Sequence, residues 1–201
     1  MSAHKDYHPN GELKEEGNYK DEKKDGIWTY WLENGVKEWE ETYMDGELMK
    51  SIGWHENGKK AEEGGFKNSI PYGEWVWWYD NGQKDAEGTF KENRIRDGKW
   101  SQWYENGRMK EDGNYKDGKQ DGLWTKWYEH KNDLKQLEGF CKDGKKNGLW
   151  TYWHENGQKA EEGVFNNDVK TENWIYYQKD GKIRLEEEYD DSGTVRGITD
   201  Y

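Results

Sequence analysis

One cysteine, Cys141, stands in the whole chain of 201 residues. No internal disulfide and no thiolate metal cluster is therefore available to staple the fold. No stretch approaches the roughly eighteen consecutive apolar residues that a transmembrane helix needs. The opening residues, Met1-Ser2-Ala3-His4-Lys5-Asp6, lack the apolar run of a signal peptide, so a cytoplasmic location is expected. Helical periodicity is missing as well: no apolar pattern of period 3.6 survives more than a turn, and glycine falls too often for helix. Gly-x-Ser-x-Gly, phosphate loops and zinc-ligand spacings are absent too, so no enzyme, no cofactor and no metal site is expected.

Apolar residues are scarce at 30%, and with 37% charged residues that balance would ordinarily read as disorder. The aromatics reverse that reading. Fourteen Trp, fourteen Tyr and four Phe make up half or more of the apolar residues, and each buries a large flat area. A net charge of −12 argues against a nucleic-acid partner, whose phosphates need cations, and against an anionic membrane surface. It suits a basic protein partner, although negative charge also serves solubility alone.

A repeat organises the chain from end to end. Its unit is Gly-x-Trp-x-x-Trp-Tyr-Glu-Asn-Gly, with the second Trp recurring at Trp31, Trp54, Trp78, Trp103, Trp127 and Trp153, and Tyr177 in the seventh place. A further aromatic recurs at Tyr19, Tyr43, Phe66, Phe90, Tyr115, Phe140, Phe165 and Tyr189. Turn dipeptides follow the Trp pairs, from Asn10-Gly11 and Asn34-Gly35 to Asp180-Gly181, with Asn132-Asp133 the degraded copy. The fold expected is all-β: an elongated single-layer antiparallel β-solenoid, a meander of about eight 24-residue hairpins in one domain, 1–201. The units run 7–27, 28–50, 51–74, 75–99, 100–123, 124–149, 150–173 and 174–197.

Within each unit Asn-Gly predicts a two-residue type I′ turn, because both central residues of that turn need positive φ. The other connection, Asp-Gly-Lys-x-x-Gly at 117–122 and 143–148, predicts a looser turn. Counting out from Asn156-Gly157 pairs His154 with Lys159, Tyr152 with Glu161 and Trp150 with Gly163. The same arithmetic sets Trp100 against Gly113 and Trp75 against Gly88, so that an indole can lie across the neighbouring strand. Ser51 faces Gly64, while Trp28 faces Glu41 and Trp174 faces Glu187, and these units should be looser.

Alternation places the first Trp of each pair on one face with the Tyr/Phe ribs, and the second Trp on the other. One layer cannot bury both faces, so aromatic surface should remain exposed unless the sheet curls, dimerises or meets a partner. Positions that vary along such an array are free for recognition, whereas constant ones hold the stack. The most variable position gives the candidate partner-binding row Tyr30, Gly53, Trp77, Gln102, Lys126, Tyr152 and Tyr176; filling gaps in the packing is the competing reading. His55 and His154 read as ordinary strand residues, Glu161 and Glu162 as solvated ones. The Asp-Gly-Lys loops resemble calcium loops only faintly, since Lys119 and Lys145 stand where an oxygen ligand is needed.

The segments Trp100–Gly122 and Trp150–Phe165 resemble the MORN repeat, in its variant form Trp-x-x-Trp-Tyr-x-Asn-Gly followed by Glu-Gly-x-Tyr-x-Asp-Gly. The chain as a whole is similar to the bacterial YwqK-type antitoxins. That resemblance implies a protein-binding scaffold, an immunity or antitoxin protein that occludes a basic toxin domain. Ser51, Asn132-Asp133 and Tyr177 depart from the pattern. A glycan- or cell-wall-binding aromatic module, or a general scaffold, is the alternative; exposed indoles favour it, and dense charge and the absent export signal oppose it.

Overall fold

A computed structural model describes residues 1–130 and 133–201 and divides them into two compact units, Met1–Arg96 and Asp97–Tyr201. In the first unit the strands are β1 (Ser2–Tyr7), β2 (Leu13–Lys20), β3 (Lys23–Trp31), β4 (Lys37–Met44), β5 (Glu47–Trp54), β6 (Lys60–Lys67), β7 (Ile70–Trp78) and β8 (Lys84–Lys91). The second holds β9 (Ile95–Trp103, starting at the boundary), β10 (Met109–Lys116), β11 (Lys119–Gln120), β12 (Gly122–Trp127), β13 (Lys135–Lys142), β14 (Lys145–Trp153), β15 (Lys159–Asn166), β16 (Val169–Tyr177), β17 (Ile183–Tyr189) and β18 (Val195–Asp200). Within each unit, strands consecutive in sequence pair antiparallel, as a meander of hairpins requires, with β11 and β12 together forming one interrupted partner of β10.

The expected Trp–Gly pairings are all present: Trp150 opposite Gly163, Trp100 opposite Gly113 and Trp75 opposite Gly88. The turn that produces them is not the one expected. At His154–Gln158 the Gly157 N–H donates to the His154 carbonyl (2.9 Å) and the His154 N–H to that of Gln158 (2.8 Å). Gly157 has φ +84°, and Asn156 is not among the residues of positive φ. This is a three-residue loop, a turn closed by a left-handed glycine, and it recurs at Gly11, Gly35, Gly58, Gly82, Gly107, Gly181 and Gly193. A bulge then offsets the extra loop residue. Trp153 pairs with Lys159 but Tyr152 with Glu161, leaving Ala160 over and restoring the pairing of Trp150 with Gly163.

The two-residue type I′ turns lie at the opposite ends of the strands. Asp45-Gly46, Asp117-Gly118 and Asp143-Gly144 have positive φ at both residues, as do Asn68-Ser69 and Asn167-Asp168. The strand ends beside them pair directly, Lys142 with Lys145 and Lys67 with Ile70. The connection expected to be loose is therefore the tight one. Its closing glycine forms a second bulge: Phe140 pairs with Asn147 but Gly139 with Trp150, so Gly148 (φ +74°) and Leu149 are left over. Asn132, half of the degraded turn dipeptide, lies outside the described residues.

The core is the column of first tryptophans: Trp28 and Trp75 in the first unit, and Trp100, Trp124, Trp150 and Trp174 in the second, all buried. For five of these indoles the seat is a glycine on the preceding strand. A methyl group placed on Gly17, Gly64, Gly113, Gly139 or Gly163 would fall inside the ring of Trp28, Trp75, Trp124, Trp150 or Trp174, respectively. Glu41 and Glu187, on the strands after Trp28 and Trp174, consequently loosen nothing. Both indoles are at 0% exposure, which corrects the expectation of slack units.

One rib was misplaced by a residue. Phe140 is 56% exposed, and Cys141 (5%) occupies the rib position, packed with Trp124, Trp150, Phe165 and Trp174. Strand parity after Gly139 decides this, since ribs stand two residues beyond the seat glycine or its substitute. Ile27, Leu123, Phe140 and Leu149 are among the exposed apolar side chains, whereas the first tryptophans are buried.

Candidate functional site

Indole N–H groups anchor the column. Trp28, Trp75, Trp150 and Trp174 donate from Nε1 to the carbonyls of Asn18, Gly65, Phe140 and Val164 at 3.0–3.1 Å, in each case ten residues earlier. Trp124 is the exception, and its buried Nε1 has no hydrogen-bond partner among the described residues. The equivalent carbonyl, that of Asn114, already accepts from the Asp121 N–H at 2.9 Å where the strand breaks between β11 and β12.

Beside this column lies the candidate row. Tyr30 and Trp77 stand in the first unit and Gln102, Lys126, Tyr152 and Tyr176 in the second, all half-buried. The aromatic members lean on the column, with Trp77 stacked on Trp75 at 5.6 Å and Tyr152 against Trp150 at 6.2 Å. Carboxylates attend the same rings. Trp77 Nε1 donates to Glu62 (3.2 Å), Tyr176 Oη donates to Glu187 (2.7 Å), and Lys126 pairs with Glu111 (2.9 Å). Burial, together with Glu41 and Glu187, pushes the phenols of Tyr30 and Tyr176 well above their ordinary range. The row thus combines half-exposed rings with fixed negative charge, a surface suited to cations.

Three lysines of the chain already exploit it. Lys24 Nζ lies 4.3 Å from the centre of Trp28, 5.0 Å from Tyr30 and 5.2 Å from Tyr43. Lys146 is placed likewise over Trp150, Tyr152 and Phe165, and Lys170 over Trp174, Tyr176 and Tyr189. Each stands four residues before its Trp and sets its ammonium over the ring at 4.0–4.7 Å. Sequence reasoning missed this device, although the spacing Lys-x-x-x-Trp was visible.

The second face is a ladder rather than a solvated surface. Lys37, Lys60 and Lys135 lie over the second Trp of the next hairpin, Trp54, Trp78 and Trp153, at 4.9–5.8 Å. Each is also paired with a glutamate three residues on: Glu40, Glu63 and Glu138. Glu162, expected to be solvated, is held by Lys159 and by the Tyr177 hydroxyl, both at 2.6 Å. His55 and His154 have structural work, their Nε2 atoms hydrogen-bonding the carbonyls of Trp78 (2.8 Å) and Tyr177 (3.1 Å) in the following repeat.

The column has one gap, at Ser51. There a cavity of about 460 Å³ opens, walled by Tyr30, Trp39, Tyr43 and Phe66, with Glu38, Glu41 and Glu62 on its lining. Gly53, the row member at this level, has no side chain, and the indole of Trp39 from the preceding strand lies over it.

Four stretches of the chain, 3–21, 71–92, 96–117 and 146–167, match the MORN repeat variant family. No curated protein matches the chain. Among solved structures, a chain in the crystal structure of TcdB2-TccC3-Cdc42 is similar at 11% identity, with a TM-score of 0.23. That match covers 92% of this chain and 12% of the other, too slight a likeness to carry an argument about fold or function.

Proposed function

We propose that this repeat scaffold binds a protein, and that it acts as an immunity or antitoxin protein by occluding a basic toxin domain. The observation that carries the reading is the row of half-buried rings, each with a carboxylate within hydrogen-bond reach or on the facing strand. Tyr30, Trp77, Tyr152 and Tyr176 supply area that a partner can desolvate. Glu41, Glu62, Glu161 and Glu187 beside them favour cationic side chains, and the net charge of −12 speeds encounter with a basic domain. Protein recognition of this kind needs no catalytic group.

Co-expression with a panel of basic toxin domains tests the proposal. Rescue of growth by the chain, and its loss on Trp77→Ala or Tyr152→Ala with folding retained, is the expected result. A chain that rescues none, yet sediments with peptidoglycan or a glucan, is instead a glycan-binding module.

A further inference from the structure

The cavity at Ser51 is more than a vacated tryptophan seat. Trp28, Trp75, Trp124, Trp150 and Trp174 each rest on a glycine of the preceding strand, because any Cβ there would enter the ring. At Ser51 both partners are replaced together: the residue opposite it on β4 is Glu41, where the seat glycine would stand. Glu41 therefore occupies the floor that an indole would need, and its carboxylate lines the space. Glu62 faces Gly53 from the other side, on β6, and lines the same space.

Chemically the cavity extends the aromatic set that Lys24 occupies, sharing Tyr30 and Tyr43 with it and adding Trp39 and Phe66, with three carboxylates on the same lining. Lys24, Lys146 and Lys170 each enter an aromatic set from the position four residues before the column residue. Those lysines stand opposite the rib of the preceding strand, and at the Ser51 level the residue opposite the rib Tyr43 is Leu48, which carries no ammonium. Lys24 reaches one wall, where it is tied to the Tyr30 hydroxyl at 2.5 Å. Against that single ammonium the lining sets Glu38, Glu41 and Glu62. Aromatic faces with an excess of carboxylate attract an organic cation, and desolvation strengthens the attraction.

We infer that this cavity is a binding site for an alkylammonium group, presented as a lysine side chain by a protein partner. The inference rests on the protein-binding reading above and names where one basic side chain of that partner sits. A lysine suits the site because its apolar stem can lie along Trp39 and Phe66 while its head meets Glu41 and Glu62.

The probe is N-acetyl-lysine methylamide, titrated into the full chain and followed through the amide resonances of Ser51, Gly53 and Gly64 and the indole of Trp39. The expected result is saturable shifts confined to those groups, at least fivefold weaker for Glu41→Gln and absent for the norleucine analogue. The double variant Ser51→Trp/Glu41→Gly rebuilds the seat and column; it should fold with no loss of melting temperature and show no binding. Equal shifts with norleucine, or lysine shifts spread over the surface acids without saturation, would overturn the inference. Failure of the two readings is separable. A toxin rescued equally well by the double variant, with no lysine binding, removes this site and leaves the scaffold function. Confined lysine binding without any protein partner does the reverse.

Discussion

A missing side chain organises the interior at the residue scale. Gly163 lets Trp174 lie flat on β15, and a Cβ there would have to displace an indole that is also hydrogen-bonded to Val164. Gly163→Ala should therefore cost about 1–3 kcal/mol, the usual penalty for overpacking a filled site. Gly197→Ala is the control, since its Cβ would meet nothing nearer than Glu188 Oε2 at 3.6 Å and its φ is not positive. Chemical denaturation should separate the two variants clearly, and equal midpoints would contradict the seat. The glycine was legible in the sequence as a partner of tryptophan. Which of its two flanking tryptophans it serves was not, because Trp150 and Trp174 both stand opposite Gly163 or next to it in the ladder and only the ring's tilt chooses.

For the hairpin element, the asparagine of Asn-Gly is needed for its amide rather than for its backbone. Asn57 Oδ1 accepts from the Lys59 N–H of its own turn at 3.1 Å, while Nδ2 donates to the Asp80 carbonyl of the next turn at 2.6 Å. Asn10, Asn106 and Asn156 repeat the arrangement, so the turns are stitched into a stack one repeat apart. Asn57→Ala should lower stability by about 0.5–1.5 kcal/mol for each hydrogen bond lost. Asn57→Asp keeps the acceptor for Lys59 and loses the donor to Asp80, so thermal melts should place it between the parent and the alanine variant. The hairpin period and the Trp–Gly pairings were legible because alternation and turn residues are local signals. The exchange of turn types was not, because a three-residue loop followed by a bulge at Ala160 yields the same pairing at Trp150 as a two-residue loop.

Over the whole molecule, a series of half-buried phenols beside the tryptophan column sets the response of stability to high pH. Burial, reinforced by Glu41 or Glu162, pushes Tyr43 and Tyr177 from 10.0 up to about 12. Tyr30 and Tyr176 are raised in the same direction. The folded chain keeps these protons where the unfolded chain has lost them, so stability is full below pH 10 and declines as pH climbs toward 12. Melting temperature should fall across that window, with tyrosinate absorbance appearing late and together with unfolding. Ionisation of Tyr30, Tyr43, Tyr176 and Tyr177 ahead of unfolding would contradict their burial.

The sequence by itself determined the all-β class, the hairpin period, the tryptophan column and the strand pairings around it, since each follows from spacing along a chain that alternates faces. It did not determine which end of each hairpin is tight, that Cys141 and not Phe140 is a rib, or that Lys24, Lys146 and Lys170 cap the column. Nor did it distinguish the gap at Ser51 from a degraded repeat. Those features depend on bulges that change strand parity and on the direction in which an indole lies. Both are set by contacts between strands, which tertiary packing resolves and linear spacing does not.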